Sequence, residues 1–227
     1  HVGRFGSLEA IVETKGEILD DLTASDTAVI NADQAHYSAW QLRAAPARII
    51  SFGESSTADV QLMNFIDRGF DGSDITVDAM GTEISLRLSI PGKGGVTNAL
   101  AATAAAMALD IDVSVIAQGI EALSPVEGRG NTLHLDKGIR LIDESYNASP
   151  SSVMAALDSL KHARPPRTAV LADMLELGDD GPDYHREVGR HLSYLGIERV
   201  IAVGELSAHI TDHCVSHALH CANTDQL

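Results

Sequence analysis

The sequence predicts an α/β protein built from two consecutive parts. In the first part, short apolar runs alternate with helical stretches, which favours a parallel sheet. Residues 83–90 then alternate strictly between polar and apolar side chains, a pattern typical of a half-exposed strand in an antiparallel meander. After residue 130 the chain repeats a β-α-β order with short links, which predicts a Rossmann-like, doubly wound domain.

Composition narrows the class of protein. Among 227 residues, 32 Asp and Glu stand against 16 Lys and Arg, and the formal charge of −16 disfavours nucleic-acid partners and anionic membranes. No apolar run reaches the roughly 20 residues of a membrane-spanning helix, and the first residues lack the features of a signal peptide. Cys214 and Cys221 make no disulfide framework, which fits a reducing compartment. We therefore expect a cytoplasmic protein without membrane insertion. Because it opens on His1 and stops at Leu227, we also expect a piece of a longer chain.

Periodicity and capping residues define the elements of the first part. Ser7 can cap a helix that runs to Leu22, since the apolar residues in this stretch follow helical spacing. Residues 91–95 are predicted to form a loop because they are rich in Gly and Pro, and Ser114 is expected to cap a later helix. The other predicted strands are 28–30, 48–52, 60–66, 75–78 and 83–90, and the other predicted helices are 34–44, 98–109 and 113–123.

A segment rich in Gly and Pro at residues 124–131 separates the two parts. Strands 140–143 and 168–171 are expected to be neighbours in one parallel sheet, so that their carboxyl ends meet at one edge. No internal repeat is evident. The other strands predicted beyond the boundary are 132–135 and 199–203, and the predicted helices are 151–162, 184–195 and 207–217.

Lys15 is unusual within the first predicted helix. On a helical wheel it lies between Val12 and Ile18, inside the apolar stripe. Burial favours a neutral lysine amine, which can act as a nucleophile or react with carbon dioxide to give a carbamate whose oxygens suit Mg²⁺. The alternative is a lysine whose stem follows the apolar surface while its amine reaches water. The residues alone favour this second interpretation.

Polar residues follow two predicted strands of the second part. Residues 141–150 run from an apolar strand into a turn that carries acid, amide and phenol groups, and residues 172–178 continue the next strand with two carboxylates. Ligands bind at the carboxyl ends of strands in such sheets. Turn-forming residues alone would give a similar composition. The convergence of two such strand ends is what favours a binding site.

Two further patterns are less informative. His209, His213 and His217 recur every four residues on a predicted helix, near both cysteines. Zinc binding is disfavoured, because the spacing lacks a paired C-x-x-C and an H-E-x-x-H. The glycine-rich residues 92–95 are not a phosphate-binding loop, since G-x-x-x-x-G-K-[ST] occurs nowhere in the chain.

Six segments together resemble the Mur ligase family. The strings Glu-Ser-Tyr-Asn-Ala and Asp-Met-Leu-Glu-Leu-Gly are similar to those of one branch, and the Asp-Asn-Pro-Arg type signature of a sister branch is not found. The resemblance implies an ATP-dependent amide ligase of peptidoglycan precursor synthesis. Its cofactors would be ATP and Mg²⁺, its substrates a UDP-N-acetylmuramoyl tripeptide and D-alanyl-D-alanine, and its state a monomer. The segments are residues 1–7 with 15–18, 98–102, 125–129, 143–150, 173–178 and 185–189.

The resemblance also assigns the two parts of the chain. Residues 1–128 are similar to the later portion of a central ATP-binding domain of P-loop type, without the phosphate-binding loop itself. Residues 129–227 are similar to a C-terminal domain that is truncated at its end. Such a piece is expected to be inactive by itself.

By the resemblance, site residues come from both parts. His1 and Lys15 would bind Mg²⁺, Lys15 as a carbamate, and Arg129 would reach the ATP phosphates from the hinge between the domains. Those that would contact the other groups are Asn98, Tyr146 and Asn147 at adenine, Glu144 or Asp143 at ribose, and Asp173, Glu176, Gly178 and His185 around the incoming dipeptide.

Three departures from the family pattern affect four positions. Gly94 and Gly95 stand where the family usually has His-Asn, Glu144 where it has Asp, and Ala172 where it has Gly. The first departure removes nucleotide contacts. It leaves open a second hypothesis, a non-catalytic scaffold or binding protein on the same fold.

Overall fold

The computed structural model describes residues 6–214 and 217–226, which form ten β-strands and seven α-helices. The chain divides into two compact units. One is Glu9–Pro125, and the other comprises the described residues from Val126 onwards, with which the chain start up to Leu8 is grouped. Within this described part, no helix has both the length and the apolar character needed to cross a bilayer.

The first unit is built on a five-stranded mixed sheet. Its strands, in spatial order, are β1 (Thr27–Asn31), β2 (Arg48–Gly53), β3 (Val60–Asp67), β4 (Ser73–Ala79) and β5 (Thr82–Leu88). Strands β1 to β3 run parallel, whereas β3, β4 and β5 form an antiparallel meander. Leu86 and Leu88 are buried while Glu83 and Arg87 are exposed, so the predicted alternation along this strand is confirmed.

Four helices accompany this sheet: α1 (Leu8–Gly16), α2 (Tyr37–Ala44), α3 (Gly92–Ala108) and α4 (Val113–Glu121). Helix α3 supplies a large apolar face. Its buried Val96, Leu100 and Ala104 belong to the same core cluster as Ile50 and Val77 of the sheet. Burial of each large aliphatic side chain stabilises the unit by about 1.5–3 kcal/mol, so the alanine-rich helix is fixed mainly by this packing.

Helix α1 is shorter than predicted, and Arg43 explains why. The helix ends at Gly16, and a 3₁₀ turn follows at Glu17–Leu19, so the apolar stripe does not continue. Arg43 Nη1 donates to the backbone oxygen of Glu13 at 3.1 Å, and the guanidinium also pairs with Asp20. An added Cβ on Gly16 would lie 2.6 Å from that guanidinium. A basic side chain that binds the last carbonyl groups favours the end of a helix.

Helix α3 is longer than predicted. It begins at Gly92 rather than Asn98, so residues 92–95 are helical and their prediction as a loop is wrong. Gly95 is buried, and an added Cβ would lie 2.8 Å from both Cγ2 and the backbone oxygen of Ile90. Because Gly95 has no side chain, the first turn of the helix packs closely against Ile90. This packing outweighs the low helix propensity of glycine.

The start of α2 and the cap of α4 also differ from the prediction. Helix α2 begins at Tyr37, three residues later than predicted. The cap of α4 is Asp112, whose carboxylate accepts the N–H of Ser114 at 2.8 Å. Ser114 therefore lies in the first turn, and the acid two residues earlier satisfies its otherwise unpaired N–H.

The second unit combines a hairpin with a separate parallel sheet. Strands β6 (Asn131–His134) and β7 (Arg140–Asp143) pair antiparallel, and the sheet order is β10 (His217–Cys221), β9 (Arg199–Val203), β8 (Thr168–Ala172). Its helices are α5 (Pro150–Leu160), α6 (Gly181–Leu195) and α7 (Ala208–Thr211). The β8-α6-β9 order confirms the α/β prediction for this unit.

Strands β7 and β8 are not neighbours, contrary to the sequence prediction. Strand β7 pairs with β6, the strand directly before it in the chain, across a short turn. A hairpin between adjacent segments closes a short loop at little entropic cost, whereas pairing with β8 would require a crossover. The carboxyl ends of β7 and β8 therefore lie in two different sheets.

The end of the chain is also corrected. A helix over 207–217 is wrong: α7 is a single turn, and His217 begins β10, opposite Arg199 of β9. His209, His213 and His217 therefore do not share a helix face. His209 lies in α7, His213 in the turn that follows it and His217 in β10, so the helical spacing of the three histidines does not reflect one helix.

Close packing positions α6, and an ion pair joins the segments just before β8 and β9. An added Cβ on Gly189 would lie 2.3 Å from the backbone oxygen of Ile210, so α6 and α7 approach backbone to backbone. Near the far end of α6, Arg167 binds both carboxylate oxygens of Glu198, at 3.0 Å and 2.8 Å. Hydrogen bonds from Arg167 lower the pKa of Glu198 to about 2.

Candidate functional site

The turn after β7 is organised by Asp143. One carboxylate oxygen accepts the N–H of Gly128 at 3.1 Å, and the other accepts the N–H of Ser145 at 3.1 Å. Hydrogen bonds from Ser145 and then from Gly128 hold the pKa of Asp143 below its ordinary value. Both oxygens are thus engaged with the protein's own backbone.

The same turn binds the glycine-rich segment at the start of the unit. Tyr146 N–H donates to the oxygen of Gly128 at 3.1 Å, and Gly130 N–H donates to the oxygen of Asp143 at 2.9 Å. Gly128 has φ +76°, and an added Cβ would lie 3.1 Å from Tyr146 Cβ, so glycine is required there. Residues 128–130 and 143–146 consequently form one small backbone cluster.

Arg129 and Tyr146 stack within this cluster. The guanidinium carbon of Arg129 lies 3.9 Å from the centre of the Tyr146 ring, a cation–π arrangement. The tyrosine is nevertheless 68% exposed. A broad aromatic face with an adjacent cation is well suited to a planar, anionic ligand such as a nucleotide.

Glu144 is the second acid of this cluster. Desolvation and the neighbouring Asp143 carboxylate raise the pKa of Glu144, and Arg129 lowers it in part. Asn147 is exposed, with its side-chain oxygen accepting the N–H of Ala148 at 2.9 Å. The structure therefore brings together five sequence-predicted residues: Arg129, Asp143, Glu144, Tyr146 and Asn147.

A second group of predicted residues lies at the carboxyl end of β8. Asp173 accepts the N–H of Glu205 at 3.1 Å and that of Ser207 at 2.7 Å, which ties this strand end to the end of β9. Glu176 and Gly178 come next, with φ of +62° and +68°. Two left-handed residues within three positions make residues 174–178 a sharply folded loop.

His185, predicted from the resemblance to border the dipeptide, lies inside the protein. It is fully buried in α6, and its Nε2 accepts the N–H of Met174 at 3.0 Å. Its Nδ1 binds the backbone oxygen of Gly181 at 2.7 Å. Both ring nitrogens are therefore occupied by backbone groups.

The predicted residues of the first unit have a different setting. Lys15 is exposed in the last turn of α1, which agrees with the interpretation that its amine reaches water and not with a lysine buried in an apolar stripe. The helix ends one residue later, and Ile18, which belongs to the apolar stripe on the helical wheel, is 81% exposed. Asn98 is exposed on α3. His1 lies outside the described residues.

The first unit contains a cleft that was not predicted from the sequence. Asp33 follows β1 and accepts the N–H groups of Glu54 and Ser55, at 2.8 Å and 2.9 Å. Lys93 of α3 reaches Glu54 Oε1 at 2.9 Å across a cleft of about 110 Å³ whose other wall is apolar. Acidic residues just after a strand could have indicated it, because ligands bind at such strand ends.

Within residues 6–214 and 217–226, no group of three or more His, Cys, Asp or Glu residues is placed to hold a metal ion. The donor set that Mg²⁺ prefers, several oxygens around one point, is therefore not assembled by this part of the chain alone.

With the geometry established, comparison with known proteins identifies the class. Residues 1–106 match the Mur ligase middle domain, and residues 128–227 match the Mur ligase, glutamate ligase domain. The chain belongs to the Mur ligase family.

Similar proteins within the family share one name. UDP-N-acetylmuramoyl-tripeptide–D-alanyl-D-alanine ligase of Haemophilus influenzae is 35% identical over 93% of this chain and 46% of its own length. The Escherichia coli protein of the same name is 32% identical over 96% of this chain and 47% of its own length. The chain thus spans about half the length of the curated relatives it matches.

Solved structures give the same result. A crystal structure of MurF from Acinetobacter baumannii superposes with a TM-score of 0.88 at 27% identity, over 97% of this chain and 48% of that one. MurF of Thermotoga maritima, solved in complex with ADP, superposes with a TM-score of 0.81 at 24% identity, over 99% of this chain and 50% of its own, and supports the fold alone.

Proposed function

We propose that the chain is part of an ATP-dependent ligase that joins D-alanyl-D-alanine to a UDP-N-acetylmuramoyl tripeptide. The observation that carries the proposal is the cluster of Arg129, Tyr146 and two carboxylates at one strand end, in a chain whose relatives bear that activity in their names. Bound ATP would supply the phosphoryl group that converts the tripeptide carboxylate into an acyl phosphate, from which the dipeptide amine then displaces phosphate. The substrates are water-soluble precursors, and we propose that the protein acts in the cytoplasm as a monomer.

The residues of the cluster suit the nucleoside end of ATP. The exposed ring of Tyr146 offers a stacking face for adenine, with the Asn147 amide beside it. Because both oxygens of Asp143 already accept backbone N–H groups, we assign the ribose contact to the exposed Glu144. Asn98, on the first unit, is proposed as a further adenine contact on resemblance alone.

Arg129 has a competing partner in this arrangement. Its guanidinium lies on the Tyr146 ring, so it must leave that ring to reach a phosphate. A cation–π contact at an exposed site contributes about 0.5–1 kcal/mol, less than a charge-assisted bond to phosphate. We therefore propose that nucleotide binding moves Arg129 from the tyrosine to the phosphates.

The dipeptide end of the site is proposed at residues 173–178. Glu176 and Gly178 shape the folded loop, and Asp173 fixes its base to the neighbouring strand end. A carboxylate in this loop, such as that of Glu176, is suited to bind the ammonium group of an incoming dipeptide. His185 supports this loop from below rather than lining it.

The nucleotide part of the proposal is tested on the full gene product that contains this chain. Phosphate release should require ATP, the tripeptide precursor and D-alanyl-D-alanine together. Tyr146→Ala removes the stacking face and should raise KM for ATP about tenfold, since base stacking contributes roughly 1–3 kcal/mol.

The matched control for this test is Tyr194→Ala, which removes another exposed tyrosine, on α6. It should leave KM for ATP unchanged. A wild-type protein that binds the precursors but releases no phosphate would contradict the ligase and favour the scaffold hypothesis. Equal KM values for the two variants would contradict the role of Tyr146.

Lys15 is proposed, with His1, to support Mg²⁺ as a carbamate. This rests on the resemblance, because the described side chains gather no metal-binding set and Lys15 is exposed. Lys15→Ala should lower kcat on the order of a hundredfold, as loss of a charge-stabilising group does. Added short carboxylic acids should restore part of the activity, and bicarbonate should not.

Lys161→Ala is the control, since this exposed lysine lies outside the proposed site. It should leave kcat and the response to carboxylic acids unchanged. Full activity of Lys15→Ala would return Lys15 to an ordinary surface lysine.

A further inference from the structure

His185 is a buried titratable residue that touches no proposed ligand. Its side chain is fully buried in the first half of α6, whose other buried residues include Val188 and Leu192. A buried imidazole with satisfied nitrogens is held in one orientation. The question is what that orientation does for the neighbouring loop.

The backbone partners define the protonation of the ring. Met174 N–H can only donate, so Nε2 must carry a lone pair. The oxygen of Gly181 can only accept, so Nδ1 must carry the proton. His185 is therefore a neutral imidazole in a single tautomer, fixed by one bond within its own helix and one bond to the loop.

The bond to Met174 lies at the base of the loop proposed to border the dipeptide. Met174 is 2% exposed, whereas the next residue, Leu175, is 69% exposed. Asp173, one residue earlier, is tied to the end of β9 through two N–H groups. The first two residues of the loop are therefore both held in place. Asp173 binds the segment after β9, and Met174 binds His185 of α6.

We propose that His185 is a positioning residue: through Nε2 it fixes the backbone of Met174, and thereby holds residues 175–178 in the conformation that binds the incoming dipeptide. The proposal rests on the proposed function for the identity of that substrate. The physical reason is preorganisation, because a loop that is already ordered loses less conformational entropy when its ligand binds. His185 itself does not contact the dipeptide.

Two substitutions separate the two ring nitrogens. In His185→Gln the side-chain oxygen lies as many bonds from Cβ as Nε2, so it can still accept the Met174 N–H. In His185→Asn the amide nitrogen takes the place of Nδ1, so it can bind Gly181 but does not reach Met174. Each variant keeps one of the two hydrogen bonds, which makes them a matched pair.

The kinetic test uses the full gene product. His185→Asn should raise KM for D-alanyl-D-alanine on the order of tenfold, because a displaced loop loses binding energy. His185→Gln should stay within about threefold of wild type, and KM for ATP should be unchanged in both. Equal KM values for the dipeptide in the two variants would overturn the proposal, since a purely structural role predicts equal damage.

A spectroscopic test does not depend on activity. In the 227-residue chain, the ¹⁵N shifts of His185 should show a protonated Nδ1 and an unprotonated Nε2. The Met174 amide should exchange with solvent faster in His185→Asn than in wild type or His185→Gln. A protonated Nε2, or equal exchange in all three proteins, would overturn the proposal even if His185→Asn folds poorly, because wild type and His185→Gln still report.

The two tests distinguish the possible failures. If wild type releases no phosphate with any dipeptide, the proposed function fails, and with it the substrate named here. The fixing of Met174 by His185 is then still decided by the ¹⁵N shifts and the exchange rates. If ligation is normal but the matched variants behave alike, only the inference about His185 fails.

Discussion

The two units end neighbouring parallel strands in the same way. In the first unit, Asp33 follows β1 and accepts two N–H groups just after Gly53, the last residue of β2. In the second, Asp173 follows β8 and accepts two N–H groups after Gly204, which follows β9. We refer to these two arrangements as the Asp33 corner and the Asp173 corner.

The corners differ in the part of the chain directly after the aspartate. At the Asp33 corner the chain turns away, and Lys93 of α3 bridges to Glu54 across an open cleft. At the Asp173 corner the next residue is the buried Met174, which His185 binds through its backbone. The same arrangement of aspartate and glycine therefore lies beside a cavity in one unit and beside a fixed loop in the other.

The comparison separates backbone architecture from the site built on it. In both corners a carboxylate satisfies the two N–H groups that a sharp turn leaves unpaired. Glycine is required in both, because an added Cβ would lie 2.5 Å from Asp33 Oδ2 at Gly53 and 2.4 Å from Asp173 Oδ1 at Gly204. The function of each corner is set by the element that covers it.

The sharpest way to break the comparison is to add the missing Cβ. Gly204→Ala should destabilise the second unit by about 3 kcal/mol, because the carboxylate must leave both N–H groups and alanine must also adopt φ +121°. Gly53→Ala should cost the first unit less, about 2 kcal/mol, because φ +154° is closer to extended backbone. Urea unfolding measures both, with the single tryptophan, Trp40, reporting on the first unit.

Two open glycines are the controls for this prediction. Gly81 and Gly138 have φ of +89° and +74°, and an added Cβ there would meet no atom within 4 Å. Gly81→Ala and Gly138→Ala should therefore show only the cost of the left-handed conformation, about 1 kcal/mol. Corner variants no worse than these would mean that the carboxylates yield freely.

A smaller effect should appear in acid, again one per unit. Hydrogen bonds from Arg68 and Arg87 lower the pKa of Asp74 to about 2, as Arg167 does for Glu198. A carboxyl group with a lowered folded-state pKa stabilises the fold above its unfolded pKa, and that stability is lost as the pH falls through the folded value. Both units should thus weaken between about pH 4 and pH 2.

Substitution of each acid should flatten that acid limb in its own unit only. Asp74→Asn should act on the Trp40 signal, and Glu198→Gln on the unfolding of the second unit followed by amide exchange. The effects should be small, because both ion pairs are partly exposed and screened by solvent. Glu83→Gln and Asp136→Asn, at exposed positions, serve as controls. An unchanged pH profile in Asp74→Asn or Glu198→Gln would contradict the assignment.

Local pattern predicted much of this fold and failed where individual contacts outside the periodic pattern decide. The alternation along β5 and the strand–helix–strand order are consequences of side-chain periodicity, which a sequence displays directly. The end of α1 depends on Arg43, thirty residues away from Glu13, and the helical start of α3 on the close packing of Gly95 against Ile90. His217 shows another error, since the histidines at helical spacing fall in α7, in the turn after it and in β10.

The same reasoning predicted which residues after β7 lie together, but not how they are arranged. Acidic and aromatic residues after β7 indicated a strand-end site, and the structure does gather them. The stacking of Arg129 on Tyr146 joins residues from either side of the β6-β7 hairpin, which no local pattern shows. The Asp33 cleft was missed because its lysine comes from a helix far along the chain.

The contact between Gly189 and Ile210 bears on how the string His-Arg-Glu-Val-Gly should be understood. The first residue of this string, His185, and the last, Gly189, are one turn apart on α6, and both are buried. His185 supplies a hydrogen-bond acceptor, whereas Gly189 is needed because it has no side chain. A saturation library at position 189 should consequently return glycine alone, whereas the arginine and glutamate between them should tolerate wide exchange. A sequence motif that resembles a catalytic signature is therefore, at its glycine, a requirement for close packing between two backbones.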